Sequence, residues 1–154
     1  ISRIKEIVTY DGNVNRAAAP QSITITIEDH LDISRGDMFV KSVAAPRVTR
    51  ELNAMLCWLS EQSLDPRRKY LIKHTTRTVK AMVSGIDYRI DVNTLDHEAA
   101  NTLKMNDIGL VALKMQQPLV CDPYQQNHAT GSFIVIDEVS NNTVAAGMIL
   151  AETG

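Results

Sequence analysis

Apolar residues recur at every second position along much of this chain, which is the period of a half-buried β-strand. The stretch SITITIE (22–28) alternates isoleucine with polar residues throughout, and β-branched isoleucine suits a pleated surface. In the longest extended stretch, RTVKAMVSGIDYRIDV (77–92), we expect Val79, Ala81 and Val83 to share one face. Such a chain must build a larger sheet, because an isolated pair of strands is only marginally stable in water.

Further extended stretches follow the same pattern: RIKEIVTY (3–10), MFVKSV (38–43), YLIKHTT (70–76), GLVALKM (109–115) and FIVIDEVSNNTVAAGMIL (133–150). The last one contains two runs around a polar turn at 140–143, so it is a predicted hairpin. Turn residues at 11–13 and 35–37 separate other runs. Many short strands with little helix predict an all-β barrel or sandwich.

Some positions predict local departures from regular strands. Adjacent apolar residues at Ile7-Val8 indicate a bulge, and Gly85 indicates a second one. The i, i+4, i+8 spacing of Leu95, Ala99 and Leu103 favours one or two helical turns in LDHEAANTL (95–103). We expect the strand at 109–115 to end before Pro118, because proline lacks the backbone donor that a ladder needs.

Charge and composition exclude some classes of protein. The 154 residues carry a formal net charge of −2, which does not indicate a phosphate-binding protein driven by bulk charge. No apolar run is long enough to span a membrane, and no secretory signal is visible. Cys57 and Cys121 are predicted to be buried thiols in a reducing cytosol, and no Cys/His spacing indicates zinc.

Two groups of residues resemble small catalytic sites. The sequence Asp-His-Glu at 96–98 places an imidazole between two carboxylates, and the loop 121–132 holds Asp122, Tyr124 and His128. An enzyme acting on a small molecule would use these groups as a base or a ligand. We favour the structural interpretation, which is a polar turn in the first case and a hydrogen-bonded loop in the second.

Two further features have both a functional and a structural interpretation. Arg67-Arg68-Lys69 would contact an anion or a nucleic-acid backbone, or form a solvated loop. Trp58, the single tryptophan, would stack on a base or anchor a core. We favour the structural interpretation for both. The chain also lacks the sequence patterns of a phosphate-binding loop, a dinucleotide fold or a zinc protease.

Four stretches together resemble one known family: DISRGD (32–37), TRTVKAMV (76–83), RIDVNTL (89–95) and GSFIVIDEVSNNTVAAGMI (131–149). They are similar, in the same order, to the GTPase subunits of bacterial sulfate adenylyltransferases, which are related to elongation factor Tu. The resemblance extends over nearly the whole chain. It is most specific in RIDVNTL and in the last stretch.

The resemblance implies a domain organisation. Residues 1–44 would be the C-terminal part of a second-domain β-barrel, and residues 46–151 a closed third-domain β-barrel of the translation-factor type. The N-terminal GTPase domain would be absent from this chain, which we expect to be a fragment because it begins within a strand. The hairpin at 133–150 would close the third-domain barrel. The small residues 145–147 would allow a close backbone approach there.

The resemblance also implies a function. The parent would couple GTP hydrolysis to the formation of adenylyl sulfate and pyrophosphate from ATP and sulfate, in sulfate assimilation in the cytoplasm. GTP and magnesium would bind the missing domain, and a separate catalytic subunit would use ATP. No catalytic, cofactor-binding or metal-binding residue carries over to this chain, which we expect to be inactive alone. It would serve as a scaffold that docks the GTPase domain and the catalytic subunit.

The partners follow from the same resemblance. Arg77 and Arg89 are the candidate residues for a subunit interface, because guanidinium groups are enriched at interfaces and pair bidentately with carboxylates. Their alternative role is solvation or pairing within the barrel. A translation-factor barrel that binds tRNA is the alternative function, although the net charge argues against nucleic acid. Open strand edges in a truncated barrel favour dimerisation, and the resemblance leaves open whether a kinase domain follows residue 154.

Overall fold

The computed structural model describes residues 1–151 and divides the chain into two compact units, Ile1–Asp37 and the residues from Met38 onward. The domain boundaries inferred from the resemblance, 1–44 and 46–151, stay a prediction. Within residues 1–151 no helix has the length and hydropathy needed to cross a bilayer.

The first unit is a three-stranded antiparallel sheet in the order β2-β1-β3, formed by β1 (Ile4–Thr9), β2 (Gly12–Val14) and β3 (Thr24–Ile27). The predicted bulge at Ile7-Val8 is wrong, because the register breaks between Ile4 and Glu6 instead. Ile7 and Val8 pair with both neighbouring strands, whereas Ile4 and Glu6 pair only with β3. The break in register therefore lies in the part of β1 that is hydrogen-bonded to β3 alone.

The stretch 38–43 is not a strand, so that prediction is also wrong. Phe39, Val40 and Val43 are exposed, and the segment ends in a turn closed by the Ala44 N–H and the Lys41 carbonyl at 3.1 Å. An alternating pattern gives a segment one apolar face, but a strand also needs an adjacent strand to hydrogen-bond its backbone N–H and C=O groups. No such neighbour reaches this segment within the described residues.

The second unit is a closed barrel of six antiparallel strands. The order is β5-β9-β10-β4-β8-β6, and pairing of β6 with β5 closes the ring, while β7 extends the sheet beside β6. The elements are β4 (Arg47–Trp58), β5 (Lys69–His74), β6 (Arg77–Ile90), β7 (His97–Glu98), β8 (Ile108–Cys121), α1 (His128–Gly131), β9 (Ser132–Asp137) and β10 (Thr143–Ile149).

The predicted C-terminal hairpin is β9 and β10, and it completes the barrel. β10 pairs with β9 on one side and with β4 on the other, and β9 pairs with β5, so neither outer edge of the hairpin is free. Closure of this kind satisfies backbone groups that an isolated hairpin would leave unpaired. The all-β closed barrel predicted from the sequence is confirmed.

The period of two separates the barrel interior from its exterior. Val79, Ala81 and Val83 are buried as predicted, and the residues between them point outward. The register of β6 breaks between Val83 and Gly85, which confirms the predicted bulge. The largest side chains that are fully buried are Trp58, Leu56, Ile72, Leu103, Leu119 and His74.

The predicted helical turns at 95–103 are wrong. Leu103 is fully buried but Leu95 is 72% exposed, so the two do not share an apolar face. The segment instead contributes β7, in which His97 and Glu98 pair with Ile90 and Arg89. A short strand added to an existing edge replaced a helix too short to be stable alone.

The strand β8 continues through Pro118 to Cys121, so the predicted end before the proline is wrong. Its register with β4 breaks between the pairs Glu51–Lys114 and Thr49–Leu119, and its pairing with β6 extends only to Met115. Pro118 therefore lies where neither ladder requires its missing N–H.

The two cysteines are free thiols, but only one is fully buried. Cys121 faces the core, and burial raises the pKa of its thiol. Cys57 is half-buried on the outer face of β4. The prediction of buried thiols therefore holds for Cys121 alone.

Candidate functional site

Arg89 lies at the centre of an ion-pair cluster within the barrel unit. Its guanidinium pairs with Glu98 on β7 and, at 3.5 Å, with the Asp107 carboxylate. The hydrogen bond to Glu98, together with the charge of Asp107, raises the pKa of Arg89. Arg89 thus fastens β7 and the chain before β8 to the long strand β6. Its role at a subunit interface stays a prediction.

Arg77, the other candidate, begins β6 opposite His74. Its side chain is half-buried, and no ion pair to it exists within residues 1–151. Arg77 and Arg89 lie at opposite ends of a 14-residue strand, so they do not form one site.

A tight turn follows Arg89 directly and presents two apolar side chains. The Leu95 N–H donates to the Asp91 carbonyl at 2.7 Å, and the Asp91 N–H donates to the Asp96 carbonyl at 2.9 Å. The Asp91 carboxylate accepts from the Asn93 N–H at 2.8 Å and from the Thr94 N–H at 3.3 Å, and these two hydrogen bonds to the carboxylate lower the pKa of Asp91. Val92 is 60% exposed and Leu95 is 72% exposed. The turn is therefore ordered by polar groups, and it exposes the apolar side chains of Val92 and Leu95 among polar ones.

His97 and Glu98, in the triplet at 96–98, make separate contacts. The His97 ring stacks on Tyr88, with ring centroids 3.7 Å apart and planes 11° from parallel, and Glu98 is engaged by Arg89. The imidazole is thus held against an aromatic ring rather than beside a nucleophile.

The loop 121–132 brings Tyr124 and His128 together but gives Asp122 a different partner. Asp122 accepts a hydrogen bond from the Thr130 hydroxyl at 2.6 Å, whereas the His128 ring stacks on Tyr124 at 4.3 Å. The loop is a hydrogen-bonded connection that leads into α1, whose first turn is capped by Asn127.

His74 is a buried polar residue that the sequence argument did not identify. It is 1% exposed, and its Nε2–H donates to the Thr130 carbonyl at 2.7 Å. The period of two could have identified it, because Tyr70, Ile72 and His74 lie at every second position of β5 and all three face inward. The histidine connects β5 to the helical turn α1.

Two residues of the basic cluster 67–69 form ion pairs within the barrel unit. Arg67 pairs with Asp65 at 3.3 Å, and Arg68 reaches the buried Asp137 carboxylate at 3.0 Å. Asp137 also accepts hydrogen bonds from Ser140, from its N–H at 2.9 Å and from its hydroxyl at 2.8 Å. The turn between β9 and β10 is therefore held by one carboxylate.

We expect acid to destabilise the β9–β10 hairpin through protonation of Asp137. The hydrogen bonds from Ser140, followed by the charge of Arg68, lower the pKa of the Asp137 carboxyl below its ordinary 3.8. A carboxyl with a depressed pKa stabilises the fold above its unfolded pKa, and the contribution is lost as the pH falls through the folded value. We expect Asp137→Asn to lower the free energy of unfolding by about 1.5 kcal/mol at neutral pH.

The same variant should lose less stability between about pH 5 and pH 2 than the unmodified chain does. Urea denaturation across that range measures the difference, and Glu61→Gln, at an exposed position, is the matched control. Identical acid slopes for Asp137→Asn and the unmodified chain would contradict the assignment.

The outer surface of the barrel carries an apolar band that arises from strand register. Two neighbouring rows of side chains form what we call the outer apolar band. One row crosses β9, β10, β4 and β8 at Ile134, Ala146, Cys57 and Ile108, and the other crosses β10, β4 and β8 at Met148, Met55 and Leu110. A groove of about 580 Å³ lies over part of this band, and Lys73 and Tyr124 are among its lining residues. These residues lie on strands distant in sequence, so no local motif indicates the band.

Among residues 1–151, no three His, Cys, Asp or Glu side chains lie close enough together to hold a metal ion. The surfaces that stand out are the apolar turn at 91–96 and the outer apolar band.

The closed barrel has the fold of a translation-factor domain. A solved structure of sup35 complexed with GDP matches 99% of this chain and 38% of that chain, with a TM-score of 0.84. The sequence identity is 13%, so this likeness concerns the fold alone. Residues 51–150 match the family described as GTP-eEF1A C-terminal domain-like, and the chain belongs to that family.

The curated relatives are more specific. Sulfate adenylyltransferase subunit 1 of Alteromonas mediterranea is 48% identical over 98% of this chain, which covers 32% of that protein. The bifunctional enzyme CysN/CysC of Rhodopirellula baltica is 48% identical over 97% of this chain and 23% of that enzyme. The chain thus spans about a third or less of the length of these relatives. The family resemblance inferred from four stretches of sequence is confirmed.

Proposed function

We propose that this chain is the C-terminal barrel region of a sulfate adenylyltransferase subunit 1 and acts as a non-catalytic scaffold. One observation carries the proposal: the identity of 48% to a protein of that name extends over 98% of this chain. The likeness is therefore not confined to the barrel that residues 51–150 share with the wider family.

The activity of the whole protein would reside elsewhere in its sequence. The parent would couple GTP hydrolysis to the formation of adenylyl sulfate and pyrophosphate from ATP and sulfate in the cytoplasm. GTP and magnesium would bind a GTPase domain outside this chain, and a separate catalytic subunit would use ATP. The chain would position these two parts.

The barrel has the physical properties of a docking scaffold. Every strand of the closed ring is paired on both sides, so the outer surface is held at fixed geometry. Apolar side chains cover part of that surface in the outer apolar band. Contiguous exposed apolar patches commonly mark protein–protein contacts.

The test is a calorimetric titration of the 154-residue chain into the catalytic adenylyltransferase subunit, with tRNA as the comparison. We expect saturable binding to the subunit, no binding to tRNA, and no GTP hydrolysis by the chain. Salt-sensitive binding to tRNA alone would instead support a translation-factor barrel. Binding to neither would contradict the docking role and assign the subunit contact to the rest of the protein.

A further inference from the structure

The stretch RIDVNTL (89–95) is one of the two stretches most specific to the family, but a general scaffold role does not explain why these residues are needed. Its structure is a closed turn held by Asp91 at one end and by the Arg89–Glu98 ion pair below it. These contacts lie within the barrel unit. The turn therefore keeps its shape without help from any other part of the protein.

The turn exposes two apolar residues, Val92 and Leu95, that do not help to stabilise the barrel. Val92 and Leu95 contribute little to the core, because most of each side chain is in solvent. Leu95 also has a φ of +64°, in the left-handed region where glycine and asparagine are the usual residues. A leucine held exposed in a strained conformation stabilises nothing in this unit. Strain of this kind concentrates at functional sites.

The surroundings of the turn are acidic. Asp96 is exposed within it, Asp87 is exposed on β6 shortly before it in the chain, and the Asp91 carboxylate is part of it. The only lysine or arginine between residues 86 and 98 is Arg89, which is already paired with Glu98 and Asp107. A complementary surface would combine an apolar pocket with a rim of lysine or arginine.

We propose that residues 91–96 form a docking knob, with Leu95 and Val92 inserted into a base-rimmed apolar pocket on the partner subunit. This inference rests on the proposed function, and a partner subunit is what the name subunit 1 of the relatives implies. A separate protein is the favoured occupant because the knob is already ordered within its own barrel. A preorganised anchor loses little conformational freedom on binding, and a few such residues dominate the affinity of an interface.

The experiment measures the dissociation constant between the full-length protein that contains this chain and its catalytic subunit. The decisive variant is Leu95→Asn, because asparagine accepts the left-handed conformation but removes the apolar side chain. We expect affinity to fall at least about tenfold while the thermal midpoint of the full-length protein stays the same or rises. Loss of binding without loss of stability is a signature that a structural role would not produce.

Two further variants sharpen the result. Val139→Asn changes a valine that is 81% exposed in the β9–β10 turn, and we expect affinity within about twofold of the unmodified protein. Asp96→Lys reverses the charge of the last residue of the knob, and we expect weaker binding with a reduced dependence on salt.

The outcomes separate the two proposals. If the unmodified protein binds the subunit and Leu95→Asn binds equally well, the knob is wrong and the scaffold role stands. If the unmodified protein does not bind the subunit, both are wrong. If Leu95→Asn lowers the thermal midpoint and leaves subunit affinity unchanged, the turn packs against the protein's own remaining domains, and this inference is overturned.

Discussion

Trp58→Ala is expected to lower the free energy of unfolding by about 4 kcal/mol. Trp58 is 2% exposed at the end of β4, and its ring meets Tyr70 edge-on with centroids 5.9 Å apart. Removing the indole leaves a cavity that the barrel cannot easily close, because its strands are hydrogen-bonded on both sides. It also removes the aromatic pair and the bond from Nε1–H to the Gln62 carbonyl at 2.7 Å.

Urea denaturation followed by far-ultraviolet circular dichroism measures this loss, since the chain has a single tryptophan and its fluorescence vanishes with the substitution. Trp58→Phe is the matched control. It keeps an aromatic ring beside Tyr70, and the exposed Gln62 recovers a water partner, so we expect a loss of about 1.5 kcal/mol. A loss below about 1 kcal/mol for Trp58→Ala would mean that this residue is not a core anchor.

Gly147→Ala is expected to cost about 3 kcal/mol, although it adds a single methyl group. Gly147 on β10 pairs with Phe133 on β9, whose ring lies over it inside the barrel. A Cβ at position 147 would lie 2.3 Å from Phe133 Cζ and 2.6 Å from Cε2. The ring is buried in a closed core and cannot move away without displacing its neighbours.

Gly85→Ala provides the control, because a Cβ there meets no atom within 4 Å, and we expect an effect within about 0.5 kcal/mol. The cause is tested by adding Phe133→Leu to Gly147→Ala. The shorter side chain should recover at least about 1 kcal/mol relative to the sum of the two single changes. Equal stabilities of Gly147→Ala and Gly85→Ala, or strict additivity in the pair, would exclude the steric conflict.

The sequence pattern predicted the structural features that depend on residues close together in the chain. The alternation in β6 identified its inward face, Gly85 identified its bulge, and the polar turn before β10 identified the hairpin. Side-chain direction in a strand repeats every two residues, so such features can be read from neighbours along the chain. The family resemblance then implied barrel closure, which alternation alone does not specify.

The wrong predictions share a physical cause. Leu95 and Leu103 have helical spacing, but the segment between them found an edge of β6 to pair with. The stretch 38–43 has a strand pattern, but no strand pairs with it among the described residues. Pro118 is tolerated inside β8 because both ladders are interrupted there. In each case the secondary structure depended on which backbone groups of other strands lay nearby. The intrinsic preference of a segment for helix or strand is weak compared with such pairing.

By itself the sequence determined an all-β chain, its main strands and its family. Only the tertiary structure decided which side chains share a surface. Arg89 could be named as charged and accessible, but its partners lie nine and eighteen residues away. The outer apolar band joins four strands whose order around the barrel is not their order in the chain. The reason is that strand order and register arise from long-range hydrogen bonding and closure, whereas periodicity records only the local alternation of each strand.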